Sequence, residues 1–295
     1  MSALAGETGP VQAGAEIFSV QRVGEYTHFT LLAPQIARRF RPGQFLAVAV
    51  GGENTAMGLR RAFAIADAAP RDDYAGTVSF VVAEHGPGTR WLVRQPPGEL
   101  LDVVGPLGTP FPLPAKPAGV VLVGGGYGSA PLLPLAAALQ ALECRVEFVL
   151  GAATAGRLYG EVLAKRTGAP VTVTTDDGSV GGRGVVTDAL PAAIERVGAE
   201  VVYACGPMGM LRAVGAVARD HAIHAQVAVE EAMACGIGVC MTCVLPVRDR
   251  SSGDGVSRFV RSCVEGPVFD AFDVRWDDVG RLPADLLGAD AMGAH

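Results

Sequence analysis

The apolar positions of the chain change rhythm near residue 118. Before it, short runs of strand formers at residues 16–20, 27–31, 45–50 and 77–82 alternate with turn signals at Pro34, Pro42-Gly43, Gly51-Gly52 and Asp72-Asp73. Several short strands at this spacing predict a small barrel or sandwich. Four prolines (Pro110, Pro112, Pro114 and Pro117) then mark a stiff linker. Beyond it, apolar runs at 120–123, 145–150, 171–174, 201–204 and 226–229 alternate with helical patterns over about 131–142, 158–165, 185–194 and 208–220. That alternation predicts parallel βαβ units, which bind ligands at the carboxyl ends of their strands. The remainder holds a cysteine cluster, a loop-like stretch at 248–255 and a loose tail after Gly280. The expected division is residues 1–115, 116–228 and 229–295: a β unit, an α/β unit with a parallel sheet, and a small cysteine-loop unit.

Composition narrows the function. The 295 residues are 49% apolar, which excludes disorder as the main state and permits a sizeable core. A net charge of −6 argues against a protein that coats nucleic acid. No charge occurs between Lys116 and Glu143, long enough to cross a bilayer, but glycines and prolines interrupt the stretch, and a strand, a turn and a helix are expected instead. The first ten residues lack a basic n-region and an apolar h-region, so a cytoplasmic protein free of membranes is expected.

Chemistry concentrates in the cysteines. Cys235-x4-Cys240-x2-Cys243, with Cys263 further on, has the plant-type spacing for a [2Fe–2S] cluster. Gly236 and Gly238 allow the loop to wrap so that backbone N–H groups reach the sulfurs. A structural zinc site, also built from four thiolates, is the alternative, although zinc sites usually show two short cysteine pairs. Cys144 reads as a core residue. Gly124-Gly125-Gly126-Tyr127-Gly128 lies between a strand and a helix and is either a phosphate-holding turn or an ordinary tight one, since the G-x-G-x-x-G spacing fails. Cys205-Gly206-Pro207 ends a parallel strand at the ligand-binding edge; taken alone, it is a buried cysteine before a helix. Arg61 could meet a phosphate and Phe63 a flat ring, or they are a solvated arginine and a core aromatic. Asp176-Asp177-Gly178-Ser179 is first a turn, and second a group near a nucleotide. No histidine is assigned a role.

Taken in this order, the motifs resemble the electron transfer subunits of bacterial NAD-dependent dihydroorotate dehydrogenase, a family of ferredoxin-reductase-like flavoproteins. The resemblance covers about residues 15–274 and is most specific at 229–243 and 263–269. Relatives that couple NADH, NADPH and ferredoxin carry Asp at the first ligand position, where this chain has Cys235. The resemblance implies an N-terminal antiparallel barrel binding FAD, with Arg61, Ala62, Phe63 and Ala64 as the flavin motif. Val81, Val82, Ala83, Gly88 and Thr89 would line the FAD diphosphate. Ala64 replaces the family's usual Ser and Ala83 a common basic residue, each a lost contact of about 1 kcal/mol. By the same resemblance, Gly124, Gly125, Gly126, Gly128, Gly206 and Pro207 hold the nicotinamide nucleotide. Cys205 would be the catalytic residue by the nicotinamide ring, and Arg157 could contact a 2′-phosphate if one is present. Cys235, Cys240, Cys243 and Cys263 would ligate the cluster.

The implied activity is a conduit: electrons from dihydroorotate, oxidised in a partner FMN subunit, pass through [2Fe–2S] and FAD to NAD+ in pyrimidine biosynthesis. The implied assembly is a heterotetramer with two of each subunit. A stand-alone NAD(P)H:acceptor reductase and a zinc-stabilised non-catalytic binding protein are the alternatives.

Overall fold

The structure, a computed structural model, describes residues 9–52, 55–71, 75–250, 256–283 and 285–286. The turn signal at Asp72-Asp73, most of the 248–255 loop and the end of the tail lie outside the described residues. Six strands close an antiparallel barrel: β1 (Val11–Val23), β2 (Tyr26–Leu32), β3 (Phe45–Val48), β4 (Arg61–Ala69), β5 (Thr77–Ala83) and β6 (Leu100–Leu107), in the order β1-β2-β5-β4-β3-β6. Short helices α1 (Pro34–Arg39) and α2 (Pro87–Leu92) fill the connections. Of these strands, β4 and β6 were not expected. Residues 61–64, outside the strand runs expected from the sequence, open β4, and residues 105–107 close β6. β4 is alanine-rich and β6 carries Asp102, Gly105 and Pro106, so local β propensity is weak in both. Barrel closure supplies what propensity lacks, because β6 joins β1 to β3 and removes two open edges.

Alternation along β5 shows how the barrel positions a site. Val78, Phe80 and Val82 are buried in the barrel core, while Val81 faces the neighbouring unit.

The second unit is a seven-stranded sheet in the order β10-β9-β8-β7-β11-β12-β15. Its strands are β7 (Gly119–Gly125), β8 (Arg145–Ala152), β9 (Val171–Thr175), β10 (Gly182–Arg183), β11 (Ala199–Cys205) and β12 (His224–Ala228), all parallel. β15 (Val268–Asp270), from the cysteine-bearing region, adds an antiparallel edge that the sequence pattern did not suggest. β7 shows why its run is apolar throughout: Val120 and Leu122 pack on one face with α3 (Leu132–Ala141), and Val121 and Val123 on the other with α5 (Val186–Val197) and α6 (Met208–Asp220). The uncharged stretch after Lys116 is thus a strand, a 3-10 turn and a helix. Among the described residues, no helix is long and apolar enough to cross a membrane. The helix expected from 158 begins later, as α4 (Glu161–Arg166), because Gly160 at its N-cap has φ +84°. A hairpin of β13 (Val244–Arg248) and β14 (Ser257–Arg261), also unforeseen, follows the cysteine loop.

The barrel meets the sheet at the tip of the β1–β2 hairpin. The Glu25 N–H donates to the Gly156 carbonyl at 2.8 Å. Gly24 beside it has φ +57°, and a Cβ there would sit 2.4 Å from the same carbonyl oxygen. Gly24→Ala should therefore destabilise the protein by about 1–3 kcal/mol in urea unfolding, through strain and a forced gap. Gly14→Ala, where nothing lies within 4 Å, should change it by less than about 0.5 kcal/mol.

Candidate cofactor cavities and cysteine centre

A cavity of 380 Å³ opens where the barrel, the sheet ends and the segment before the cysteines converge. Ala62, Phe63, Ala64 and Val81 line it from the barrel. Gly128 and Cys205 line it from the sheet, and Glu231 and Met233 from the third segment. Its barrel wall is mostly small and apolar, leaving room for a flat ring. Gly128 must stay small for the sheet wall to form: its Cβ would lie 2.5 Å from the Cys205 carbonyl oxygen. Phe63 reaches this cavity, but its ring stacks on Phe80 with centroids 5.0 Å apart.

A second cavity, of 470 Å³, lies over the carboxyl ends of β7, β8, β9 and β11. Gly125, Gly126 and Pro207 line it at one end, and Thr174, Asp176 and Arg157 at the other. The size suits a small-molecule ligand. Thr174 gives an independent sign of a polar ligand, since its buried hydroxyl has no hydrogen-bond partner. Tyr127 and Glu230 line both cavities and so stand between them. Burial, then Glu230 and Cys205, pushes the Tyr127 hydroxyl up to about 12. Burial also raises the Glu230 carboxyl above the usual carboxylate range. Cys205 is fully enclosed, and burial with nearby Glu230 pushes its thiol far up, so it is a neutral S–H at physiological pH.

The four cysteines of the spacing motif come together as two pairs. Cys235 and Cys240 are close enough to shift each other's titration, as are Cys243 and Cys263. Among the described residues, no three His, Cys, Asp or Glu side chains gather as one ion would require. Three cysteines in one loop with a fourth further along supply the four thiolates that a [2Fe–2S] cluster takes. Burial alone would raise the Cys235 thiol, but N–H groups of Cys240, Ile237 and Val239 point at its sulfur and hold it below its ordinary value. The Ile237 and Val239 nitrogens lie 3.5 and 3.4 Å away. Thr242, through its side chain and backbone, brings exposed Cys240 down to about 6. Burial raises Cys263 to about 12. Cys243 and Cys263 pack on Phe45, Ala47 and Leu107 of the barrel.

Other residues singled out from the sequence take distinct places. Arg61 lies against Gly88, whose Cβ would be 2.9 Å from the Arg61 Nε, so these two share a spot outside the 380 Å³ cavity. Thr89 accepts the Gly86 N–H at the start of α2. Val82 points into the barrel core and can offer a cofactor only its backbone, whereas Ala83 packs by Tyr26 and Tyr127. Gly124 backs onto Ser129, and Gly206 onto Gly125. Cys144 is a buried core residue. Tyr127, Glu230, Glu231 and Met233 were missed. Tyr127 interrupts the glycine turn and the two glutamates precede the cysteine loop, which were the signals available.

Residues 230–275 match the iron–sulfur cluster binding domain of dihydroorotate dehydrogenase B. The chain is 32% identical to the dihydroorotate dehydrogenase B (NAD(+)) electron transfer subunit of Desulforamulus reducens, over 89% of this chain and 98% of that one. It belongs to that electron transfer subunit family. A second member, from Bacillus caldolyticus, is 35% identical over 88% of this chain and 96% of its own length. Among solved structures, an NADH-dependent reduced ferredoxin-NADP oxidoreductase superposes with a TM-score of 0.78 at 30% identity, covering 92% of this chain and 93% of that one. The family match spans the segment in which the cysteine pairs and the Glu230–Met233 wall of the first cavity lie.

The thiol environments lead to a labelling order. In the cluster-free chain at neutral pH, iodoacetamide should modify Cys240 first and leave Cys205 untouched until the chain unfolds. Labelling of Cys240 should slow as pH falls through about 6, where its thiolate is lost. Peptide mass mapping reads both.

Proposed function

We propose that this chain is the electron transfer subunit of an NAD-linked dihydroorotate dehydrogenase, carrying electrons between a partner subunit and NAD+. One observation carries the reading: the three sites lie in series and share walls. Phe45, Ala62 and Met233 belong both to the first cavity and to the packing around Cys243 and Cys263. Tyr127 and Glu230 belong to both cavities. When bound, the [2Fe–2S] cluster supplies single-electron relay, FAD gathers two electrons, and NAD+ takes them as hydride.

The residues of the chain bind and orient. Cys235, Cys240, Cys243 and Cys263 would hold the cluster, and the loop N–H groups would stabilise its negative charge. Ala62, Ala64, Val81 and Gly128 would flank the flavin ring, with Arg61 and the Gly88-Thr89 turn near the FAD diphosphate. Ala64 offers no hydroxyl there. Gly125, Gly126 and Pro207 would receive the dinucleotide. Cys205, neutral and enclosed, would pack at the reacting face without forming an ion. In this reading residues 1–115 serve FAD, 116–228 the dinucleotide and 229–295 the cluster, with β15 tying the third to the second.

The surface over the cysteine loop suits a partner. Ile237, Val239, Met241 and Val264 are exposed apolar side chains around exposed Cys240. A groove of 580 Å³ beside them is lined by Arg38, Arg39 and Arg41. An apolar centre with a charged rim is the usual anatomy of a protein interface. The occupant in this reading is the FMN-bearing dihydroorotate-oxidising subunit, in an assembly of two of each in the cytoplasm. A stand-alone reductase is not favoured, because full-length relatives carry the subunit name. A zinc-held binding protein is not favoured, because residues 230–275 match an iron–sulfur cluster binding domain.

Anaerobically purified protein should show flavin and iron–sulfur absorption that bleaches with NADH, and the isolated chain should not oxidise dihydroorotate. A colourless folded protein, or turnover without a partner, would sink the reading. Cys240→Ser should remove most cluster absorbance while FAD stays bound. Unchanged iron and sulfide content in that variant would show that the ligand set is wrong.

A further inference from the structure

The cavity over the strand ends is poor in positive charge. Among the described residues, its charged lining is Arg157, Asp176 and Glu230. Arg157 is already engaged across the junction between the two units: its Nε donates to Glu25 Oε2 at 3.0 Å. Both side chains are about half exposed, so the ion pair alone contributes little. Its geometry is nonetheless set by the backbone. The Glu25 N–H donates to the Gly156 carbonyl at 2.8 Å, and the Tyr26 hydroxyl donates to the Arg157 carbonyl, also at 2.8 Å. The docked hairpin therefore presents Glu25 to Arg157 in advance of any ligand.

Asp176 follows β9 and lines the same cavity. Its neighbour Asp177 is occupied, accepting the Ser179 N–H at 2.9 Å and hydroxyl at 2.6 Å. Ser179 Oγ in turn accepts the Ala155 N–H at 2.8 Å, which ties the turn after β9 to the turn that carries Arg157. Thr174, with its buried unpartnered hydroxyl, lies two residues before Asp176 and lines the cavity with it. The carboxylate and the orphaned hydroxyl thus mark one end of the site, opposite the end formed by Gly125, Gly126 and Pro207.

We infer that this end selects NAD over NADP, with Asp176 as the selecting carboxylate and Glu25 as the residue that withholds Arg157. The inference rests on the reading of this cavity as the dinucleotide site. A carboxylate accepts hydrogen bonds from a ribose diol. It repels a phosphate monoester, which brings a charge of about −1.5 to −2. The cation that could offset that charge is held by a carboxylate from the barrel. Rejection is therefore built from two units, and only one of its carboxylates lines the nucleotide cavity.

The test is calorimetric titration of the oxidised full-length protein, carrying its cofactors, with NAD+ and with NADP+, so that no turnover is involved. The unaltered protein should bind NAD+ at least about tenfold more tightly. Asp176→Asn, which keeps shape and removes charge, should tighten NADP+ about fivefold or more, and Asp176→Ser should also weaken NAD+. Glu25→Gln should tighten NADP+ by a smaller factor, about two- to fivefold, and leave NAD+ within about twofold. That gain should vanish in Glu25→Gln/Arg157→Ala, because it acts through the released guanidinium. If the unaltered protein binds NAD+ but the NAD+/NADP+ ratio is the same in every variant, the inference is overturned and the dinucleotide site stands. If the unaltered protein binds neither nucleotide, the site reading and the inference fall together.

Discussion

Tyr26, Ala66 and Val81 of the barrel pack against Ala130 and Tyr159 of the parallel-sheet unit, and each cavity takes part of its wall from that contact. Tyr26 meets Tyr127 and Tyr159 edge-on, at 5.6 and 6.3 Å between ring centroids, so the junction is closed by aromatic packing. Hydride transfer needs its two partners within a few ångströms, and this junction fixes how far the cavity between barrel and sheet lies from the one over the strand ends. Neither unit has a complete site without the other. Ala62, Ala64 and Val81 would be a bare barrel face, and Gly128 with Cys205 an open sheet edge.

The cysteine centre obeys a second constraint, the cost of thiolate charge in a partly apolar place. Cys243 and Cys263 are buried against the barrel, and Cys263 is pushed up to about 12, whereas exposed Cys240 is drawn down to about 6. The buried pair shares Phe45, Ala62 and Met233 with the 380 Å³ cavity, and the other pair includes the exposed Cys240. Thiols held protonated must lose their protons to bind metal, so cluster assembly releases protons and is coupled to pH. Arg261 holds the loop, donating to the Gly238 carbonyl at 3.0 Å while its guanidinium pairs with Glu265 at 2.9 Å. Ser262 ties the two ends of the buried pair, its N–H donating to the Cys243 carbonyl at 2.8 Å next to Cys263.

Small residues on the barrel face have a packing logic of their own. Ala64 pairs with Phe45 and lines the cavity, and Ala83 pairs with Tyr26 beside the aromatic junction. Ala83 packs in the same cluster as Tyr26 and Tyr127, so a larger side chain there would compete with the two rings for space.

Much of this protein is legible along the chain. The cysteine spacing names a cluster because four ligands confined to one loop and one distant point leave few chemistries open. The apolar rhythm names the βαβ unit because burial on both sheet faces forces continuous runs such as 120–123. The helix over 208–220 needed only its own period and Pro207 before it. Other features depend on partners far away in sequence. β4 and β6 are strands because the barrel closes, and β15 because β12 offers it an open edge. Tyr127 and Glu230 matter only once a barrel stands over them. Arg157, placed by its sequence position to meet a phosphate, is bound to Glu25, 132 residues away. Local pattern records which side chains must be buried and which turns the backbone can make. It does not record which distant carboxylate arrives beside a cation, because that contact exists only when the barrel packs against the sheet unit.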